Sequence, residues 1–123
     1  MTAADQPPIL DELESLLRTR LAERPEGSYS VKVLTDATFA QRKLMEEAFE
    51  VCLELQGGQV DRRAAAEEGA DLVFHLLAAL VGAGASWTDV ETVLRERHGR
   101  PARHSTYPSD DAATSAATEE TEP

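Results

Sequence analysis

Two helical patterns joined by a glycine turn constrain the fold of this chain more than any other feature of its sequence. The segment from Lys43 to Asp71 carries apolar residues at spacings of three and four on both sides of Gly57 and Gly58. Such spacing places apolar side chains on one face of an α-helix, and the two glycines favour a turn between the helices. The segment therefore predicts a helical hairpin.

Each helix of the predicted hairpin carries two acidic residues three positions apart. Glu47 and Glu50 lie in the first helix, and Glu68 and Asp71 lie in the second. Residues at i and i+3 lie on the same side of a helix, one turn apart, so folding the helices together would bring the four carboxylates into one place. Because four carboxylates repel one another, the pattern predicts a cation among them. Carboxylate oxygens suit Mg²⁺ or Mn²⁺.

The acidic pairs are also compatible with a solvated surface or with a di-iron site. Such pairs are common on solvated helix faces, and the chain would then be a helical dimer module without catalysis. A di-iron site would need Glu-x-x-His pairs, and the sequence contains none, since His75 follows Asp71 at a spacing of four. The acidic stripe interrupts an otherwise apolar helix, where unpaired buried charge costs several kcal/mol. That cost favours a metal site.

The same apolar spacing predicts two further helices, which makes the fold all-α with four main helices. We expect helices from Pro8 to about Arg24, from Thr35 or Asp36 to about Leu55, from Asp61 to Val81, and from Ser86 to just before Gly99. The segment from Ser28 to Leu34 alternates like a strand but has no second strand to pair with. It is predicted to be a short helical or extended connector.

Composition limits the chain to one small domain with polar ends. Its 123 residues are 41% hydrophobic, which suffices for a single core. We expect a disordered leader at 1–7, the helical domain at 8–100 and a disordered acidic tail at 101–123. The tail has no Lys or Arg after Arg103 and almost nothing to bury.

Charge and segment lengths exclude several classes of partner. The net charge of -11 argues against binding to nucleic acid or to an anionic membrane. The N-terminus does not look like a signal peptide, and the longest apolar run is too short to span a bilayer, so we expect a cytoplasmic protein. Cys52 is the only cysteine, which excludes an internal disulfide. Together with Met45 and Leu55 it is predicted to lie on the buried side of its helix, as an unreactive thiol.

Motifs over residues 9–98 resemble one known family. Glu46 to Glu50 followed by Glu68 to Asp71 is similar to the acidic pattern of the all-α, MazG-like nucleotide pyrophosphohydrolases. Within that superfamily the chain most resembles the phosphoribosyl-ATP pyrophosphatases. This resemblance also rests on Ser28 to Leu34, on the run from Ala70 to Leu77, and on the start of the last helix at Trp87. Met45 departs from the family, which commonly has glycine there.

The resemblance implies an activity and an assembly. The activity is Mg²⁺-dependent hydrolysis of phosphoribosyl-ATP to phosphoribosyl-AMP and pyrophosphate, the second step of histidine biosynthesis. The assembly is a homodimer in which the partner chain completes a MazG-like helical bundle. The nearest alternative is a house-cleaning pyrophosphatase acting on free or modified (deoxy)nucleoside triphosphates.

The site residues receive the following roles. We expect Glu47, Glu50, Glu68 and Asp71 to be the metal ligands, and either Glu47 or Glu50 to act as general base. Lys32 and Lys43 are candidates for phosphate contacts, although Lys43 can equally form a helix salt bridge with Glu47. His75 is expected to hydrogen-bond and orient a site carboxylate. Glu46 either supports the ligands from behind or forms a plain salt bridge, and Tyr29 belongs either to the core or to the substrate site.

Overall fold

Five α-helices account for the part of the chain, residues 6–99, that the computed structural model describes. They are α1 (Ile9–Glu23), α2 (Tyr29–Thr35), α3 (Ala37–Leu55), α4 (Arg62–Gly82) and α5 (Trp87–His98). No strand occurs within 6–99, which confirms the all-α prediction. The predicted acidic tail and most of the predicted leader lie outside the described residues.

Side-chain caps explain where three of the helices begin. Ser28 accepts a hydrogen bond from the N–H of Val31, and Asp36 accepts one from the N–H of Phe39 at 3.1 Å. Asp61 accepts from the first N–H groups of α4. Each cap satisfies donors that have no partner inside the helix. The Ser28 cap helps make the segment after it a helix, so the connector is helical and not extended.

Helix α4 lies at the centre of the compact unit that contains α1 to α4. It packs against α1, α2 and α3, and its most extensive packing is with α3. The predicted hairpin is therefore present. The core of this unit consists of small and medium aliphatic side chains from all four helices: Leu17, Val33, Leu34, Ala40, Leu77, Ala78 and Val81.

A glycine allows α2 to approach the end of α4. A Cβ atom placed on Gly82 would collide with the backbone carbonyl of Leu34. The two helices can therefore pack at this distance only because residue 82 has no side chain. This contact fixes α2 against α4, and α2 carries Tyr29 toward the acidic residues.

The predicted buried side of α3 is wrong at several positions. Met45 is 75% exposed and Leu55 is 57% exposed, and Cys52 is exposed as well. Phe49, on the same side as Met45 and Cys52, is 62% exposed. Apolar spacing identifies the faces of a helix but does not tell which face the same chain covers. Here α4 packs against a different face of α3, and this apolar side is left open within the described chain.

The glycine beside Glu68 does not serve close helix packing within the described chain. An added Cβ at Gly69 would have no described neighbour within 4 Å. No single helix among residues 6–99 is long and apolar enough to cross a membrane, although α4 and α5 as a pair have the length and composition for it.

Candidate metal centre

Three of the four predicted acidic ligands meet between α3 and α4. Glu47, Glu68 and Asp71 each offer one carboxylate oxygen, and these oxygens lie within 4.8 Å of one another. One carboxylate comes from α3, and the other two come from successive turns of α4. The antiparallel packing of the hairpin thus brings Glu47 together with groups that are 21 and 24 residues away in the sequence.

The fourth acidic residue, Glu50, lies outside this group of three but close enough to influence it. The pKa of Glu68 is raised, first by partial desolvation and then by the charges of Glu50, Asp71, Glu47 and Glu54. Negative neighbours disfavour the charged form of a carboxyl group. Glu54, which was not predicted as a site residue, follows Glu50 by one helical turn and therefore adds to the same negative field.

The ammonium group of Lys43 lies at the edge of the carboxylate group. Its Nζ is 3.0 Å from Glu46 and 3.3 Å from Glu47. The hydrogen bond to Glu46 raises the pKa of Lys43 despite the opposing effect of desolvation, and the bond to Glu47 contributes in the same direction. The side chains of Glu47 and Lys43 are only 12% and 23% exposed. The helix salt bridge considered as an alternative for Lys43 is therefore present.

Glu46 forms ion pairs and is not among the three clustered carboxylates. It contacts Lys43, and Arg42 lies 3.9 Å away on the preceding turn. Half of the Glu46 side chain is exposed to solvent. These contacts favour the plain salt bridge for Glu46, while keeping Lys43 beside Glu47.

A buried histidine connects α2 to the backbone of a site residue. The Nδ1 atom of His75 is 2.7 Å from the backbone oxygen of Asp71, and its Nε2 is 2.7 Å from the hydroxyl of Tyr29. A carbonyl only accepts, so Nδ1 donates, and in the neutral ring Nε2 then accepts from Tyr29. His75 thus bonds the main chain of Asp71 and not its carboxylate, which differs from the expected contact. Sequence reasoning missed the Tyr29 bond, because no local pattern pairs residues from α2 and α4.

Lys32 lies on α2 beside an aromatic ring. Its Nζ is 4.2 Å from the centroid of Phe39, in a cation–π contact. Tyr29 packs edge-on against the same ring at 5.9 Å. The side chains of Tyr29, Lys32 and Phe39 therefore form one surface next to the His75 contact.

The donor chemistry of the cluster fits a divalent cation. It provides only oxygen atoms, on two helices that are held together by the core, and desolvation and the neighbouring carboxylates raise the pKa of Glu68. Hard cations such as Mg²⁺ take oxygen ligands, usually with only a few carboxylates and several waters. Glu47, Glu68 and Asp71 thus form a candidate acidic metal-binding group.

Comparisons with known proteins identify the family to which this chain is similar. The family model described as Phosphoribosyl-ATP pyrophosphohydrolase matches residues 10–98. A phosphoribosyl-ATP pyrophosphatase of Rhodopirellula baltica is 37% identical over 92 residues, covering 73% of this chain and 77% of that protein. One of Rhizorhabdus wittichii is 40% identical over 92 residues, covering 73% and 84%.

A longer relative also contains a similar segment. The histidine biosynthesis trifunctional protein of Kluyveromyces lactis is 38% identical over 86 residues, which are 70% of this chain but only 10% of that protein. No solved structure matches this chain. The matched range, residues 10–98, contains the positions of all four acidic residues, both lysines and His75. The chain belongs to the phosphoribosyl-ATP pyrophosphohydrolase family.

Proposed function

We propose that this protein hydrolyses phosphoribosyl-ATP to phosphoribosyl-AMP and pyrophosphate, with Mg²⁺ at the α3–α4 carboxylates. The observation that carries the metal site is the meeting of Glu47, Glu68 and Asp71 within 4.8 Å. Membership of the family and the names of the relatives support the substrate. The reaction belongs to histidine biosynthesis, for which a longer relative is also named.

The ligand set consists of these three residues together with Glu50. Glu50 is the charged neighbour with the largest effect on the pKa of Glu68, and it lies one helical turn from Glu47 on the same side of α3. Bound Mg²⁺ would neutralise phosphate oxygens and orient the triphosphate. Mn²⁺, which accepts the same oxygen donors, is expected to substitute.

The protein itself supplies a base and a cation. Glu47 or Glu50 accepts a proton from the water that attacks the α-phosphorus, and the bond from that phosphorus to the bridging oxygen breaks to release pyrophosphate. Lys43 lies within 3.3 Å of Glu47, where its ammonium can contact a phosphate oxygen as the charge moves to the leaving group. His75 bonds both the Asp71 carbonyl and the Tyr29 hydroxyl, so it links α2 to α4 beside the α4 ligands.

The direct test measures pyrophosphate release from phosphoribosyl-ATP. The purified protein is assayed with Mg²⁺, with Mn²⁺ and with excess EDTA, and a panel of nucleoside and deoxynucleoside triphosphates is run beside it. Rapid hydrolysis of phosphoribosyl-ATP that EDTA abolishes supports the proposal. Preference for the deoxynucleoside triphosphates would favour the house-cleaning alternative. Absence of both hydrolysis and Mg²⁺ binding would favour the non-catalytic helical dimer.

Two neighbouring glutamates provide a matched test of the site. Glu68→Gln removes a clustered carboxylate, and Glu67→Gln removes the carboxylate of the preceding residue, which is 60% exposed and pairs with Arg63. We expect Glu68→Gln to lower kcat/KM at least about 100-fold, as for loss of a group that stabilises the transition state. Glu67→Gln should stay near wild type. Equal activity in both variants would contradict the assignment of the metal site.

We further propose that the protein is a homodimer that covers the open side of α3. Phe49 follows Glu47 by two positions, which places it roughly 160° around the helix, on the side away from the carboxylates. An open groove lined by Phe49, Cys52, Leu53, Leu55 and Gln56 has a volume of about 460 Å³ and no charged side chain. Apolar surface of this kind is usually covered by a partner, and a second copy presents the same surface.

The dimer can be tested without disturbing the carboxylates. Phe49→Glu should convert a species of twice the chain mass of 13.4 kDa into a monomer in sedimentation equilibrium. Ser15→Glu adds the same charge at an exposed position of α1 and should leave the dimer intact. A wild-type protein that sediments as a monomer at micromolar concentration would contradict this proposal.

A cytoplasmic location also remains a prediction.

A further inference from the structure

A second groove lies where α1 turns into α2, outside the carboxylate group. It has a volume of about 510 Å³, and it is lined by residues 24–29, 31 and 32. This volume falls in the range of pockets that hold small molecules. The groove contains two cationic side chains, Arg24 and Lys32, and one acidic side chain, Glu26. The metal chemistry proposed above uses neither Arg24 nor the groove.

The cationic side chains of this groove contrast with the negative charge of the carboxylate group and of the whole chain. The chain carries a net charge of -11, and the α3–α4 site is strongly acidic. The groove on α3 described above has no charged lining residue at all. A phosphate that is not bound to a metal ion would be repelled by the carboxylates, whereas the α1–α2 groove offers it two cations. Arginine and lysine are the side chains that bind phosphate best in proteins.

The side chains of the two cations retain free donor capacity. Arg24 uses its Nε to bond the backbone oxygen of Leu21 at 3.1 Å, which holds the guanidinium in place. An arginine has five N–H donors, so the terminal nitrogens have capacity for an anion. Lys32 rests over the ring of Phe39 at 4.2 Å, a contact that uses the charge but none of the three ammonium donors in a hydrogen bond.

Tyr29 connects this groove to the metal centre. It lines the groove, and its hydroxyl lies 2.7 Å from His75, which in turn bonds the main chain of Asp71 at 2.7 Å. One wall of the groove is therefore separated from a predicted metal ligand by only two hydrogen bonds. A substrate with phosphates at both ends could reach the carboxylates with one end and the groove with the other.

We infer that Arg24 and Lys32 bind the phosphate of the phosphoribosyl group, at the end of the substrate remote from the bond that is hydrolysed. This inference rests on the proposed function. It makes the groove the feature that distinguishes phosphoribosyl-ATP from ordinary nucleoside triphosphates, which lack the second phosphate. The sugar of the same group packs against the apolar walls formed by Pro25 and Val31.

The test compares two substrates and a small set of variants. The substrates are phosphoribosyl-ATP and ribosyl-ATP, the same molecule without the remote phosphate. Arg24→Gln and Lys32→Gln are assayed on both, with Lys32→Arg as the conservative variant and Arg63→Gln as a charge-matched control. The side chain of Arg63 is 86% exposed, and its described bond is to Glu67. Circular dichroism checks that each variant is folded.

The expected result is an effect on KM that depends on the remote phosphate. Each Gln variant should raise the KM for phosphoribosyl-ATP about tenfold or more, as for loss of a charge-assisted hydrogen bond, with little change in kcat. For ribosyl-ATP the same variants should have the KM of wild type. Wild type itself should have a higher KM for ribosyl-ATP than for phosphoribosyl-ATP. Lys32→Arg should restore binding, and Arg63→Gln should behave as wild type.

Failure of the inference can be told apart from failure of the proposed function. If wild type does not hydrolyse phosphoribosyl-ATP, the proposed function fails and this inference fails with it. If wild type hydrolyses both substrates with equal KM, the proposed function stands and the remote-phosphate subsite is overturned. Equal losses on both substrates in Arg24→Gln would also overturn it, because the interaction would then not involve that phosphate.

Discussion

Adding one methyl group at two glycines of α4 should have opposite effects on stability. At Gly82 the new Cβ would collide with the carbonyl of Leu34, whose backbone belongs to a helix with two buried side chains. At Gly69 no described atom lies within 4 Å of the new Cβ. Both glycines lie outside the left-handed region, so the backbone tolerates alanine at both. Only the steric surroundings differ.

The magnitudes follow from these surroundings. Overpacking a close-packed site typically costs about 1–3 kcal/mol, and the backbone of α2 cannot move aside without shifting Val33 and Leu34 out of the core. We expect Gly82→Ala to lower the free energy of unfolding by about 2 kcal/mol. For a domain of this size that lowers Tm by about 8–16 °C. Gly69→Ala should raise the free energy of unfolding by about 0.5–1 kcal/mol through helix propensity.

The assay is urea unfolding followed by far-UV circular dichroism, in EDTA and at one fixed protein concentration. The fixed concentration matters because association makes apparent stability depend on concentration. Wild type is the reference, and the two alanine variants control for each other. The reasoning is refuted if Gly82→Ala unfolds at the same urea concentration as wild type. It is refuted equally if Gly69→Ala is the more destabilised of the two.

Further predictions concern the carboxylates, the histidine contact and a helix cap. In EDTA, stability should fall as pH rises from the usual Glu68 pKa of 4.5 to its higher folded value, because the folded state binds more protons in that window. Glu68→Gln should remove this pH dependence of stability, measured by urea titrations at several pH values. An unchanged pH dependence would show that Glu68 does not cause it. Tyr29→Phe leaves the Nε2 of buried His75 without its donor and should cost about 1–3 kcal/mol, measured by urea unfolding; no loss would mean that the hydroxyl is dispensable. Asp61→Ala removes the cap of α4 and should cost about 1 kcal/mol, measured as a lower Tm, whereas Asp61→Asn should nearly restore it.

The helices were largely predictable from the sequence, and the reasons are local. Asp36 and Asp61 were expected at the starts of two helices, and both accept hydrogen bonds from the first turns. Gly57 and Gly58, which follow α3, were expected to break the helical pattern. The one ambiguous segment, from Ser28 to Leu34, could not be decided from alternation alone. Its helical state depends on Val33 and Leu34 packing against other helices.

The acidic site was predictable in its residues but not in its geometry. Spacing showed that Glu68 and Asp71 share a face, as do Glu47 and Glu50. It did not show that three of these carboxylates lie within 4.8 Å while Glu50 lies beside them. That difference depends on the rotation of α3 against α4 and on side-chain torsions. No residue pattern in a single helix contains that information.

The sequence by itself determined the helices, their caps, the acidic pairs and the family, because each depends on residues that are close along the chain or on motif similarity. The tertiary structure decided which helix faces are covered. It left Cys52 and Phe49 open on α3, joined Tyr29 to His75 across 46 residues, and formed the cationic groove at Arg24 and Lys32. These features depend on how the helices pack in space, and distant side chains acquire their partners only when that packing is complete.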